Sequence, residues 1–245
     1  RKMVKRRVVE YLVKVTERNS PDLLMLALTF LRKLSLFEEN KDVMVAGQLV
    51  QNLSRPAVWK MEPIALLALK VMFNLSFDPL ARRKIVEHVT EPRLAELLRV
   101  AKFRAVTLRL LYHLSVDDDV KAMFAYTDAI TLLVQLVVNF PQPHVARELA
   151  ALMINVTLHP RNVEVLFQSD LAVRLIERAV RREDPLMMKV VRNLASWTYS
   201  VQESLTPEAE YMQTGHWAPF IPTLFGAARS MSPDAQVEAV ATLAR

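Results

Sequence analysis

Polar and apolar positions along this chain repeat on two scales. On the short scale, apolar residues return every three or four positions, which is the spacing of one face of an α-helix. Ile64, Leu67, Ala68, Val71, Met72 and Leu75 make such a stripe behind Pro63. On the long scale a whole phrase returns. It reads FLRKLS at 30–35, VMFNLS at 71–76, LLYHLS at 110–115, LMINVT at 152–157, VVRNLA at 190–195 and VATLAR at 240–245. Its apolar anchors are Leu34, Leu75, Leu114, Val156, Leu194 and Leu243, separated by 41, 39, 42, 38 and 49 residues. The last, longer gap predicts an insertion near 200–216, where Pro207 and Gly215 interrupt the pattern.

Helix start signals precede the phrase. Ser20-Pro21-Asp22, Asp184-Pro185 and Ser232-Pro233-Asp234 place a cap-type residue before a proline at the first helical position. Pro63 and Pro143 stand at similar offsets without that cap. Two shorter helical stretches come before each long one, as in ARRKIVEHV then PRLAELLRVA, DVKAMFAY then AITLLVQLVVN, and RNVEVLFQS then LAVRLIERAV. Three helices in a period of about 40 residues is the armadillo pattern. A single unit of this kind cannot bury its apolar face and must stack on its neighbours. The expectation is therefore an all-α, right-handed superhelical solenoid of roughly six armadillo repeats, three helices each, truncated at both ends. The expected repeats are 1–36, 37–76, 77–115, 116–157, 158–195 and 196–245, together one armadillo domain fragment of a longer array.

Composition agrees with helix. The 245 residues include only three glycines, and hydrophobic residues make up 52%. There is no cysteine, so disulfides and thiolate metal sites are excluded, in keeping with a reducing compartment. The formal charge of +6 is too modest to choose among nucleic acid, acidic membrane and acidic protein. The longest uncharged run, 129–146, contains Gln135, Asn139, Pro141, Gln142, Pro143 and His144, and no membrane insertion is expected of it. The basic opening Arg1, Lys2, Lys5, Arg6 and Arg7 has only Tyr11 as a nearby aromatic. It reads as the solvated face of a helix rather than a nucleic-acid site. Asp117-Asp118-Asp119 lacks the glycine and alternate spacing of a calcium loop and reads as a helix cap. The five histidines are scattered, the eleven methionines read as core filler, and no phosphate loop or nucleophile elbow occurs. No enzyme, metal or cofactor is expected.

Several phrases resemble the kinesin-associated protein family. They are LYHLSVDDDVKAMFAYTDAI at 111–130, LLMLALTFLRKLSLFEENKDVM at 23–44, FNLSFD at 73–78, HPRNVEVL at 159–166 and DPLMMKVVRNLA at 184–195. The resemblance runs in order over about 8–195 and fades over 196–215. It implies a non-catalytic adaptor, the non-motor subunit of heterotrimeric kinesin-2. Such a subunit binds the tails of the two motor chains within a hetero-oligomer. It also links the motor to cargo proteins for microtubule-based and intraflagellar transport, in the cytoplasm and in cilia. Another armadillo scaffold, of the cell-junction, signalling or nuclear-transport type, is the alternative.

Armadillo proteins often bind an extended partner through an Asn near the end of the third helix, whose amide offers donors and an acceptor. The matching positions, one before each anchor, are Lys33, Asn74, His113, Asn155, Asn193 and Thr242. The rival reading of these Asn side chains is a bond to the turn of their own repeat. Four residues earlier, where nuclear-import receptors carry Trp, stand Thr29, Lys70, Arg109, Ala151, Lys189 and Glu238. Trp59, Trp197 and Trp217 lie outside this array. The expected groove is thus Lys70, Asn74, Arg109, His113, Asn155, Lys189 and Asn193. It is cationic, lacks a Trp ladder, and suits an acidic or mixed-charge extended segment.

Overall fold

The computed structural model describes residues 7–89, 91–202, 217 and 220–244, and every regular element among them is a helix. The chain forms two compact units, Arg1–Leu114 and Ser115–Arg245. The first holds α1 (Val8–Val15), α2 (Pro21–Leu34), α3 (Glu38–Ala46), α4 (Leu49–Ser54), α5 (Pro56–Trp59), α6 (Glu62–Leu75), α7 (Pro79–His88), α8 (Glu91–Arg99) and α9 (Ala101–Leu114). In it α2 packs on α6 and α6 on α9, so the long third helices stand side by side. The second unit opens with α10 (Asp118–Met123), which tightens into a 3-10 turn at Phe124–Tyr126. It continues with α11 (Ala129–Val138), α12 (Arg147–Val156), α13 (Pro160–Phe167), α14 (Leu171–Arg182), α15 (Pro185–Gln202), α16 (Ile221–Ser230) and α17 (Pro233–Leu243). Here α12 packs on α15 and α15 on α17. Short–short–long helix triplets stacked in this way are armadillo repeats, and the fold is an armadillo-repeat solenoid. Residues 203–216, which hold most of the expected insertion, lie outside the described part.

The anchors lie where the period places them: Leu34, Leu75, Leu114, Val156 and Leu194 are all buried. Leu243 is the exception and is only half-buried. On α17 the buried stripe is Ala235, Glu238, Ala239 and Thr242, at steps of three, four and seven. Leu243 is one position, about 100°, off that stripe. Small side chains let α17 approach α15 and α16 closely, and Val237 and Val240 are left exposed.

Local chemistry explains several breaks. Gly47 closes α3 where a Cβ would come within 3.0 Å of the Val43 carbonyl and 3.1 Å of Val13 on α1. Gln48 then turns the chain into α4 through a left-handed conformation, φ 63°. Asp78 caps α7 by accepting from the Ala81 N–H at 2.8 Å. Ser20, Asp117 and Ser232 occupy N-cap positions, but their side chains make no capping bond. Asp184 does cap: its Oδ1 accepts from the N–H of Leu186 and Met187 at 3.1 and 3.3 Å.

Pro143 departs from the expected helix start, because α12 begins only at Arg147. The backbone before it is bonded to the following repeat instead. Arg178 on α14 donates to the carbonyls of Gln142 and Pro143 at 2.8 and 3.0 Å. Asp184 Oδ2 accepts the Val145 N–H at 2.8 Å. These bonds hold residues 142–145 as an irregular strap. No single helix among the described residues is long and apolar enough to cross a membrane.

Candidate partner groove

The Ser or Thr that follows each of the first four anchors acquires a role in the structure. The residue one before an anchor donates to the hydroxyl one after the anchor of the preceding repeat. Asn74 Nδ2 donates to Ser35 Oγ at 3.0 Å and to the Arg32 carbonyl at 3.0 Å. In the second unit Asn155 Nδ2 donates to Ser115 Oγ at 3.1 Å. Asn193 Nδ2 donates to Thr157 Oγ1 and to the Ile154 carbonyl, both at 3.1 Å. His113 takes the same place, with Nδ1 2.9 Å from Ser76 Oγ. The hydroxyls of Ser35, Ser76 and Thr157 donate in turn to carbonyls of their own helix ends. Ser76 therefore has its proton on Phe73, so the imidazole is the donor, as the amides are, and carries its proton on Nδ1. The bonds run neither to the turn of their own repeat nor to solvent; they latch α6 to α2 and α9 to α6 in the first unit, and α15 to α12 in the second. Asn74 and Asn193 use both amide protons in this way, so what each can offer a partner is the Oδ1 acceptor.

The latch ends where the phrase changes. Ala195 replaces the hydroxyl residue, and Thr242 replaces the amide and donates to the Glu238 carbonyl within its own helix. Glu238, at the expected groove position, is buried against Arg192, whose Nη1 lies 2.7 Å from Oε2. Thr29 likewise bonds back to the Met25 carbonyl.

In the first unit the three long helices border a half-open cleft of about 260 Å³. Arg32, Lys33 and Leu36 come from α2 and its end, Lys70, Phe73 and Asn74 from α6, and Val106 and Arg109 from α9. Four cations surround an apolar floor, and no acidic side chain lines it. Arg32, Lys33 and Lys70 have no acidic partner among the described residues, and Arg32 Nε is buried without a hydrogen-bond partner. Lys70, Asn74 and Arg109, all expected in the groove, are thus brought together. His113 lies apart from the cleft, in a ring cluster with Phe77 at 4.3 Å and Phe73 at 5.0 Å. Burial first, and the Arg82 guanidinium second, hold its pKa below the ordinary histidine value. Asn155, Lys189 and Asn193 belong to the second unit.

Arg32, Leu36, Phe73 and Val106 are lining residues that the periodicity did not single out. Leu36 belongs to a series two positions past the anchor, Leu36, Phe77, Val116 and Leu158, all exposed apolar side chains. That repetition is visible in the sequence once the anchors are aligned. Among the described residues no cluster of three His, Cys, Asp or Glu side chains could hold a metal ion.

A family profile described as kinesin-associated protein (KAP) matches residues 1–211. The chain belongs to the kinesin-associated protein family. The KAP-family chain also resembles designed solenoids. The designed armadillo repeat protein YIII(Dq)4CqI aligns over 96% of this chain and 98% of its own, with a TM-score of 0.70 and 15% identity. The designed armadillo repeat protein YIII(Dq.V1)4CPAF, in complex with peptide (KR)4, aligns over the same shares with a TM-score of 0.73 and 15% identity. An engineered protein solved by the Northeast Structural Genomics Consortium (target OR329) gives 0.71 at 16% identity, covering 96% of this chain and 94% of its own. At such identities the likeness establishes the armadillo fold alone. Fold and family together make this KAP-family chain an armadillo adaptor of non-catalytic type.

Proposed function

We propose that the chain is the adaptor part of heterotrimeric kinesin-2, holding an extended acidic or mixed-charge segment of the motor tails in its third-helix groove. The chain would also link the motor to cargo proteins. The resulting hetero-oligomer would serve microtubule-based and intraflagellar transport, in the cytoplasm and in cilia. The observation that carries this reading is the cleft between α2, α6 and α9. Four cations and no acid surround a floor of Leu36, Phe73 and Val106, in a chain of the kinesin-associated family. Such a lining favours negative charge beside apolar side chains. The designed relative was solved with the peptide (KR)4, which is basic. The lining here has the opposite preference, because its Lys and Arg would repel such a peptide. On the second unit Lys189 would favour negative charge in the same way.

The test is a pull-down of this chain with the two kinesin-2 tails, followed by titration with the triple reversal K70E/R109E/K189E. Tail binding that weakens at least tenfold in the variant supports the reading. Unchanged affinity in the variant, or failure of both tails to bind the wild-type chain, overturns it. A nucleic-acid role would instead show a steep loss of affinity for RNA or DNA with rising salt.

A further inference from the structure

Resting on that groove reading, we propose that the cleft between α2, α6 and α9 is a phosphate-reading site. It takes the phosphoryl group of a phosphorylated Ser or Thr in the bound segment. The charge inventory favours a phosphomonoester over a carboxylate. Arg32, Lys33 and Lys70 lack acidic partners among the described residues and meet at one cleft with Arg109. Elsewhere in the same unit a lysine on a neighbouring helix is compensated: Lys102 of α9 pairs with Glu62 of α6 at 2.9 Å. A single Asp or Glu would bring one negative charge to this group of cations. A phosphorylated side chain brings about 1.5 to 2, with three strong acceptor oxygens.

The donors also match. Of the three cations without an acidic partner, Arg32 is a guanidinium, which can engage phosphate oxygens in pairs, and Lys33 and Lys70 are ammonium groups acting as point charges.

The shape of the lining selects the carrier. The site is a half-open cleft of about 260 Å³, the size for one side chain and not for a bilayer face. Leu36, Phe73 and Val106 supply apolar contact for residues flanking the phosphate. Phe73 is held edge-on to Phe77, with ring centres 5.5 Å apart, and against His113. A base-stacking platform needs an open aromatic face, so a peptide fits this cleft better than RNA.

The experiment uses the intact chain and fluorescent twelve-residue peptides of fixed sequence, with Glu and Leu flanking a central Ser, phosphoserine or Asp. Fluorescence anisotropy reads affinity. The phosphoserine peptide is expected to bind at least tenfold tighter than the Ser peptide and several-fold tighter than the Asp peptide. Lys33→Glu and Lys70→Glu should abolish that preference without moving the melting temperature, and Lys70→Arg should keep it. Equal affinity for the Ser and phosphoserine peptides, or a preference that survives both reversals, overturns the proposal. So does phosphoinositide-vesicle binding that depends on Lys33 and Lys70 while the phosphoserine peptide fails. Unphosphorylated motor tails that bind while the phosphoserine preference is absent overturn the phosphate site alone. Failure of both tails and all peptides overturns the groove reading with it.

Discussion

Replacing Asp184 by Ala should destabilise the second unit by about 3 kcal/mol. The side chain is 1% exposed and serves two repeats at once. Its Oδ1 caps α15, and loss of an acidic N-cap costs about 1 kcal/mol. Its Oδ2 accepts the Val145 N–H, 39 residues earlier, at 2.8 Å. A bond to a charged acceptor contributes about 1.5–3 kcal/mol, and its removal leaves a buried N–H unbonded. Nearby Arg178 has its pKa lowered chiefly by burial and then by Arg182, while Asp184 acts in the opposite sense. The substitution therefore also leaves that guanidinium without its stabilising carboxylate while it holds the strap carbonyls. For a chain of this length 1 kcal/mol corresponds to about 2–4 °C in Tm, so the expected shift is roughly 6–12 °C. Thermal unfolding followed by circular dichroism measures it, with the exposed Asp22→Ala on α2 as control. Asp184→Asn keeps one acceptor oxygen and should fall between the two. A D184A melt within 2 °C of wild type, or a control that drops as far, would refute the claim that this carboxylate joins two repeats.

Three further outcomes follow from the same geometry. Asn193→Ala should cost about 1–2 kcal/mol in urea unfolding, from two lost amide bonds, and Asn193→Asp should cost more, because it sets a carboxylate against a carbonyl and a hydroxyl. The pKa of His113 is held below the ordinary histidine value of about 6.5, so the unfolded chain binds the proton more readily. Stability should therefore be full above that value and decline as pH falls below it. Asn at 113 should keep the latch and flatten the pH dependence, as urea titrations from pH 5 to 8 would read. Gly47→Ala should lower Tm by several degrees, since the added methyl meets a carbonyl at 3.0 Å and Val13 at 3.1 Å.

The periodic part of the fold was legible because each anchor is a large apolar side chain repeated at nearly constant spacing. The same rule failed at Leu243. The phrase makes Leu243 the anchor, yet the helix buries its alanine face, since close approach to α15 and α16 favours small residues. Pro143 misled for another reason: a proline marks a helix start only if the following N–H groups stay in the helix, and here Asp184 takes one for the next repeat. In the groove, Lys70, Asn74 and Arg109 were readable as aligned positions of successive repeats. Arg32, Phe73 and Val106 were not, because alignment gives the period of the array but not how far side chains on neighbouring helices reach toward one another. The Asn positions were found, but their chemistry was assigned to a partner, while their protons belong to the neighbouring repeat.

The latch has a direction. Each donor reaches back one repeat and none reaches forward, so the tie is local and polar, like a tongue that fits a slot on one side only. A repeat can then be duplicated, deleted or transplanted with little disturbance, provided its leading edge carries the amide and its trailing edge the hydroxyl. His113 shows that the tongue can be re-cut, since an imidazole satisfies the slot left by Ser76. Ala195 has no slot to offer. The stretch that follows it departs most from the common period, as expected of a seam where the joinery that standardises repeat length is missing.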